Sequence, residues 1–154
     1  ILINNMAWLL RHLPLYAVPG DGRYRVQPVS VDDVADLVMA AAEDTGAAVC
    51  DAVGPEVYTF DEFLRLLARS IGGRARLVHL PPSVVVTLGR AVGRLMGDVM
   101  ITREELAALM SERLVSSDPP TGTRSFAEWL PDQAGWLGRR YANELRRNWR
   151  GFAL

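Results

Sequence analysis

The sequence predicts an α/β protein, α+β when taken as an isolated fragment, mostly helical with a few short strands. Three observations carry this. Apolar residues recur at helical spacing in several windows, short apolar runs bounded by glycine and proline separate them, and two capping boxes mark helix starts.

Ile3, Met6, Ala7, Leu9, Leu10 and Leu13 form the first helical stripe, and Pro14 ends it because its ring cannot continue a helix. A helix is expected over residues 4–12. Leu15–Val18 reads as a short strand, Pro19-Gly20-Asp21-Gly22 as a turn, and Arg23–Val29 as the returning strand. Ser30 or Asp32 can cap a helix whose apolar face is Val34, Leu37, Val38 and Ala41. Ala47–Val53 reads as a buried strand closed by Gly54-Pro55.

Thr59 with Glu62 is a capping box for a helix carrying Phe60, Phe63, Leu64, Leu67, Ala68 and Ile71, which Gly72-Gly73 terminates. Ala75–Leu80 is expected as a strand and Ser83–Met96 as a helix with little polar surface. Thr102 with Glu105 caps another helix, reaching about Met110. Phe126, Trp129 and Leu130 suit a short helix, and residues 132–150 suit a long terminal one.

Composition narrows the function classes. At 154 residues, 49% hydrophobic and 23% charged, the chain suits one globular domain over residues 1–154. A net charge of -1 gives no field that would draw in nucleic acid. All 17 basic residues are arginine, so chemistry that needs a lysine amine cannot be completed within this chain. Cys50 is the only cysteine, which fits a reducing, cytoplasmic setting and reads as a small core residue. No stretch reaches the roughly 20 apolar residues of a membrane span. Starting at Ile1 directly in an apolar pattern, the chain reads as part of a longer polypeptide.

Val18 to Asp36, with Pro28-Val29-Ser30-Val31-Asp32-Asp33-Val34-Ala35, resembles a segment of the C-terminal half of extended and atypical short-chain dehydrogenases/reductases. That superfamily includes the NAD-dependent epimerases and dehydratases. Asn4-Asn5, Gly54-Pro55-Glu56 with Tyr58-Thr59-Phe60, Leu77–Pro82 and Thr102–Met110 are similar to further stretches of it, in the same order. The tail, with Trp129-Leu130 and Leu137-Gly138-Arg139-Arg140-Tyr141, resembles an atypical subgroup close to an accessory subunit of respiratory complex I.

The resemblance implies the C-terminal, substrate-binding portion of a Rossmann-type enzyme. NAD or NADP would be held mainly by an N-terminal domain outside this chain. It implies a small-molecule or nucleotide-linked substrate and hydride-transfer chemistry, with no catalytic residue here, since the glycine-rich loop and the Tyr-x-x-x-Lys pair are both absent. Val26 stands where sugar-nucleotide epimerases carry a phosphate-binding arginine, and Ser30 where many relatives carry histidine.

The candidate substrate contacts are Asn5, Arg23, Arg25 and His79. Asn5 suits a phosphate or hydroxyl, or a plain helix cap. Arg23 and Arg25 share one face of an alternating strand, and two guanidinium forks there suit a diphosphate or carboxylate, or solvent. His79 precedes Pro81 and suits a ligand or a satisfied structural role. No ligand cluster around His12 or His79 suggests a metal. The alternative function is a non-catalytic NAD(P)-linked binding or assembly module, and a third reading is an unrelated small α+β protein. The strand at 47–53 would leave a sheet edge open to self-association.

Overall fold

A computed structural model describes residues 1–43, 46 and 49–148. The fold is mixed α and β, dominated by helices, with two two-stranded sheets among the described residues. Helix α1 spans Leu2–His12 and strand β1 spans Leu15–Pro19. Strand β2 is only Arg25–Val26, so most of the returning strand expected at 23–29 takes no ladder. Helix α2 is Val31–Glu43, β3 is Tyr58–Thr59 and α3 is Phe60–Ile71. After β4, Arg76–Leu80, come α4, Pro82–Met96, and α5, Arg103–Met110. Helix α6, Phe126–Gln133, and the short α7, Glu144–Asn148, complete the order.

Both capping boxes form. The Thr59 hydroxyl accepts from the Glu62 amide at 3.2 Å while the Glu62 carboxylate accepts from the Thr59 amide at 2.8 Å. Thr102 and Glu105 repeat the arrangement at 3.1 and 2.8 Å. Gly72 closes α3 at φ 68°, a left-handed conformation that costs glycine no Cβ clash.

Helix α3 is the centre of the core. Its stripe of Phe60, Phe63, Leu64, Leu67 and Ile71 is buried against Met6, Ala7 and Leu10 of α1, Val18 of β1, and Phe126, Leu130 and Leu137. Each of the larger side chains contributes about 1.5–3 kcal/mol by leaving water. Phe63 stacks on Phe126 with centroids 4.9 Å apart, which fixes α6 against α3. Glu56 sets the start of α6, accepting from the Phe126 amide at 2.7 Å and the Ser125 hydroxyl at 2.7 Å. Burial alone would raise the Glu56 pKa; these bonds outweigh it and hold the carboxyl below its ordinary range.

Strands β1 and β4 pair in parallel, Leu15 opposite Arg76 through Pro19 opposite Leu80, and α2, β3 and α3 supply the crossover. Strands β2 and β3 pair antiparallel, Arg25 opposite Thr59. No strand forms at 49–53, and Ala47 and Ala48 of the expected strand lie outside the described residues. Val49 is fully exposed and Cys50 is exposed, so neither belongs to a core. The segment instead bonds across to a loop: the Val53 carbonyl accepts from the Gly122 amide at 2.8 Å, and the Val53 amide donates to the Thr121 hydroxyl at 3.0 Å. The sheet edge that this strand would have left is therefore not formed by these residues.

Helix α2 lies outermost. Of its expected apolar face Val34 and Leu37 are half-buried and Val38 and Ala41 exposed, and Val31 and Met39, outside that face, are 78% and 65% exposed. Asp33 anchors it, accepting from the amides of Thr123 and Arg124 at 3.2 and 3.0 Å and pairing with the Arg124 guanidinium.

The long terminal helix expected over 132–150 does not form. Helix α6 ends at Gln133, a turn-rich strap runs through Tyr141, and α7 begins at Glu144; Trp149 and Arg150 lie outside the described residues. Gly138 adopts φ 72°, incompatible with a right-handed helix, and packs against the backbone of α1.

Candidate functional site

The β1–β4 sheet has one face on α3 and the other on a cavity of about 820 Å³. Alternation along the strands decides what each face carries. Leu15, Ala17 and Pro19 of β1 and Val78 and Leu80 of β4 line the cavity, joined out of step by Tyr16, whereas Val18 enters the core and His79 bonds to Asp61 of α3. Helix α1 adds Leu2, Met6 and Leu9, α4 adds Val85, Leu88 and Val92, and Val99, Met100 and Ile101 close one end. Val26, Leu109, Leu114 and Val115 form a further wall.

Eight polar side chains line the cavity, and four of them, Asn5, Gln27, Ser116 and Tyr141, have hydrogen-bond partners. The Gln27 amide donates to the Gly54 carbonyl at 2.8 Å and accepts from the Ser116 amide at 3.1 Å. The Ser116 hydroxyl accepts from the Asp118 amide at 3.0 Å. Tyr141 donates its hydroxyl to Asp98 at 2.6 Å, and burial followed by that carboxylate raises its pKa. Arg113 is different: it lines the cavity and forms no hydrogen bond or ion pair with any described residue.

The strap supplies the remaining wall through Tyr141 and Glu144. Helix α1 grips it along its length. Arg11 donates to the carbonyls of Ala134 and Leu137 at 2.8 and 3.0 Å, and Asn4 to that of Arg140 at 2.9 Å. Asn4 also accepts from the Gly138 amide at 3.0 Å. Asp98, just after α4, holds the far end. It is 8% exposed and accepts from the Tyr141 hydroxyl and from the amides of Glu144 and Leu145 at 3.0 and 3.2 Å.

The four candidate contacts do not converge. Asn5 lines the cavity, but its amide donates to the Ala142 carbonyl and accepts from the Ala142 amide, both at 2.9 Å, so it holds the strap. Arg25 turns away from the cavity and pairs with Glu112 at 2.9 Å, an exposed contact. Arg23 is exposed and outside the lining. With β2 two residues long, the expected arginine pair has no extended face to share. His79 lies on the opposite face of the sheet from the cavity, with Nε2 2.9 Å from an Asp61 carboxylate oxygen that Gly22 allows close.

Arg113 escaped the sequence reading because it follows the end of α5 in an irregular turn, after Glu112 at φ 56°, where no periodicity assigns a face. Among the described residues no three His, Cys, Asp or Glu side chains are placed to hold a metal ion, and no helix is long and apolar enough to cross a membrane. A dinucleotide does not fit the residues present: one unpaired guanidinium and no glycine-rich turn opening a helix face the cavity. No protein-family model and no curated protein matches this chain.

Proposed function

We propose that this chain forms the substrate-binding portion of an NAD(P)-dependent oxidoreductase of the epimerase/dehydratase or atypical-reductase kind, and that it contributes no catalytic group. The observation that carries this is the 820 Å³ cavity, whose size lies within the range of small-molecule sites and whose walls come from α1, both strands of the parallel sheet, α4 and the strap. A binding role without chemistry agrees with the engagement of Asn5, Gln27, Ser116 and Tyr141 by the chain itself and with the absence of lysine. NAD or NADP would be held by further polypeptide. The exposed Val31, Val38 and Met39 of α2 are apolar surface such a segment could bury.

The same exposed apolar residues favour a second reading, a non-catalytic NAD(P)-linked assembly module. Titration with NADPH and NADH, followed by their oxidation over a panel of carbonyl substrates, separates the possibilities. The 154-residue chain is expected to bind neither nucleotide tightly, and the protein made from the complete reading frame to bind one of them at one per chain and oxidise it. Binding without oxidation selects the module. Tight binding by the 154 residues alone, or none by the complete protein, would overturn both readings.

A further inference from the structure

The cavity's chemistry narrows what it can hold. A sugar or nucleotide needs many directed hydrogen bonds, and a site that recognises one must have donors and acceptors to spare. Here Asn5, Gln27, Ser116 and Tyr141 are each engaged with the chain itself. The walls are aliphatic over most of their extent, from Leu9 and Ala17 to Val92 and Ile101. Arg113 provides a guanidinium free of any partner among the described residues. Tyr16, Asp51 and Glu144 also line the cavity, and none of them pairs with it.

We propose that the cavity binds a straight-chain carboxylate, with its hydrocarbon chain between the β1–β4 sheet and α4 and its carboxylate on Arg113. This rests on reading the chain as a substrate-binding portion and names the substrate class of that site. Apolar burial supplies most of the affinity, and the guanidinium fork, matched to a carboxylate's two oxygens, selects the head group.

The test uses the 154-residue chain with dodecanoate, decanoate and dodecanol as probes and calorimetric titration as readout, with no nucleotide present. Dodecanoate is expected to saturate at one per chain, and shortening it to decanoate to weaken binding about fifteenfold, from roughly 0.8 kcal/mol per methylene. Arg113→Gln, at an exposed position, is expected to weaken dodecanoate about fivefold and leave dodecanol unchanged. Leu88→Trp narrows the cavity from a side chain that is 46% exposed, so folding is preserved, and is expected to abolish binding of all three. Equal affinity for dodecanoate and dodecanol, indifference to Leu88→Trp, or several molecules bound per chain would overturn the proposal. Because no nucleotide is involved, such a failure is separate from the NADPH titration that judges the broader reading.

Discussion

Gly138→Ala is expected to destabilise the protein by about 3 kcal/mol, lowering Tm by roughly 10 °C for a chain of this length. Two costs add. At φ 72° an L-residue loses about 1–2 kcal/mol to the clash of its Cβ with its own carbonyl. The new methyl would also lie 2.5 Å from the Ala7 carbonyl carbon and 2.7 Å from the Trp8 amide nitrogen. Those are backbone atoms in the middle of α1, which cannot swing aside as a side chain could, so overpacking adds about 1–3 kcal/mol. Thermal unfolding by circular dichroism measures the shift. Gly135→Ala serves as the comparison, because no atom lies within 4 Å of a Cβ there and its φ is not positive, and it is expected to change Tm little.

Asp98→Ala is expected to cost a similar amount, about 3 kcal/mol, because it removes at once a buried carboxylate that accepts from the Tyr141 hydroxyl and from the amides of Glu144 and Leu145. Its pH dependence is distinctive. Burial by itself would raise the Asp98 pKa; the bonds from Tyr141, Glu144, Val99 and Leu145 outweigh it and hold the carboxyl below its ordinary value. A carboxyl depressed in the folded state contributes stability in full above its unfolded pKa, near 3.9, and that contribution fades as pH falls through the folded value. The unaltered protein is therefore expected to lose stability as pH falls below about 4, and Asp98→Asn to be weaker at pH 7 with a flatter acid limb. Urea midpoints across pH 3–7 would show it, and parallel curves for the two proteins would refute a role for this carboxylate.

Where the folding signals are local, the sequence was legible. Helix α3 has its capping box, five core residues at helical spacing and a left-handed glycine at its end, and all of these take effect within 14 residues. Helix α5 is legible for the same reason. The failures share a non-local cause. Val49 and Val53 have strand-forming side chains, but a strand needs a ladder partner, and this segment bonds to Thr121 and Gly122 instead. Leu137, Tyr141 and Leu145 keep a helical spacing across the terminal stretch, yet residues 134–142 are drawn out along α1 by Arg11, Asn4 and Asn5.

The site was less legible than the fold. Asn5 does line the cavity, although its amide grips Ala142. The alternation that put Arg23 and Arg25 on one face was sound for a long strand and void for one of two residues. For His79 the period of two was decisive in the other direction: Val78 and Leu80 face the cavity, so the residue between them meets Asp61 on the far side. An aliphatic cavity also leaves little trace in a sequence, because the residues that line it have the same composition as a core.

Hydrogen exchange with and without dodecanoate distinguishes the cavity from the arginine and histidine face most directly. Slower exchange at residues 15–19, 85–92 and 99–101, with residues 23–25 and 61–65 unchanged, is the expected pattern. Protection confined to the segment bearing Arg23 and Arg25, or no change anywhere at a saturating concentration, would contradict the assignment of the ligand to the space between the parallel sheet and α4.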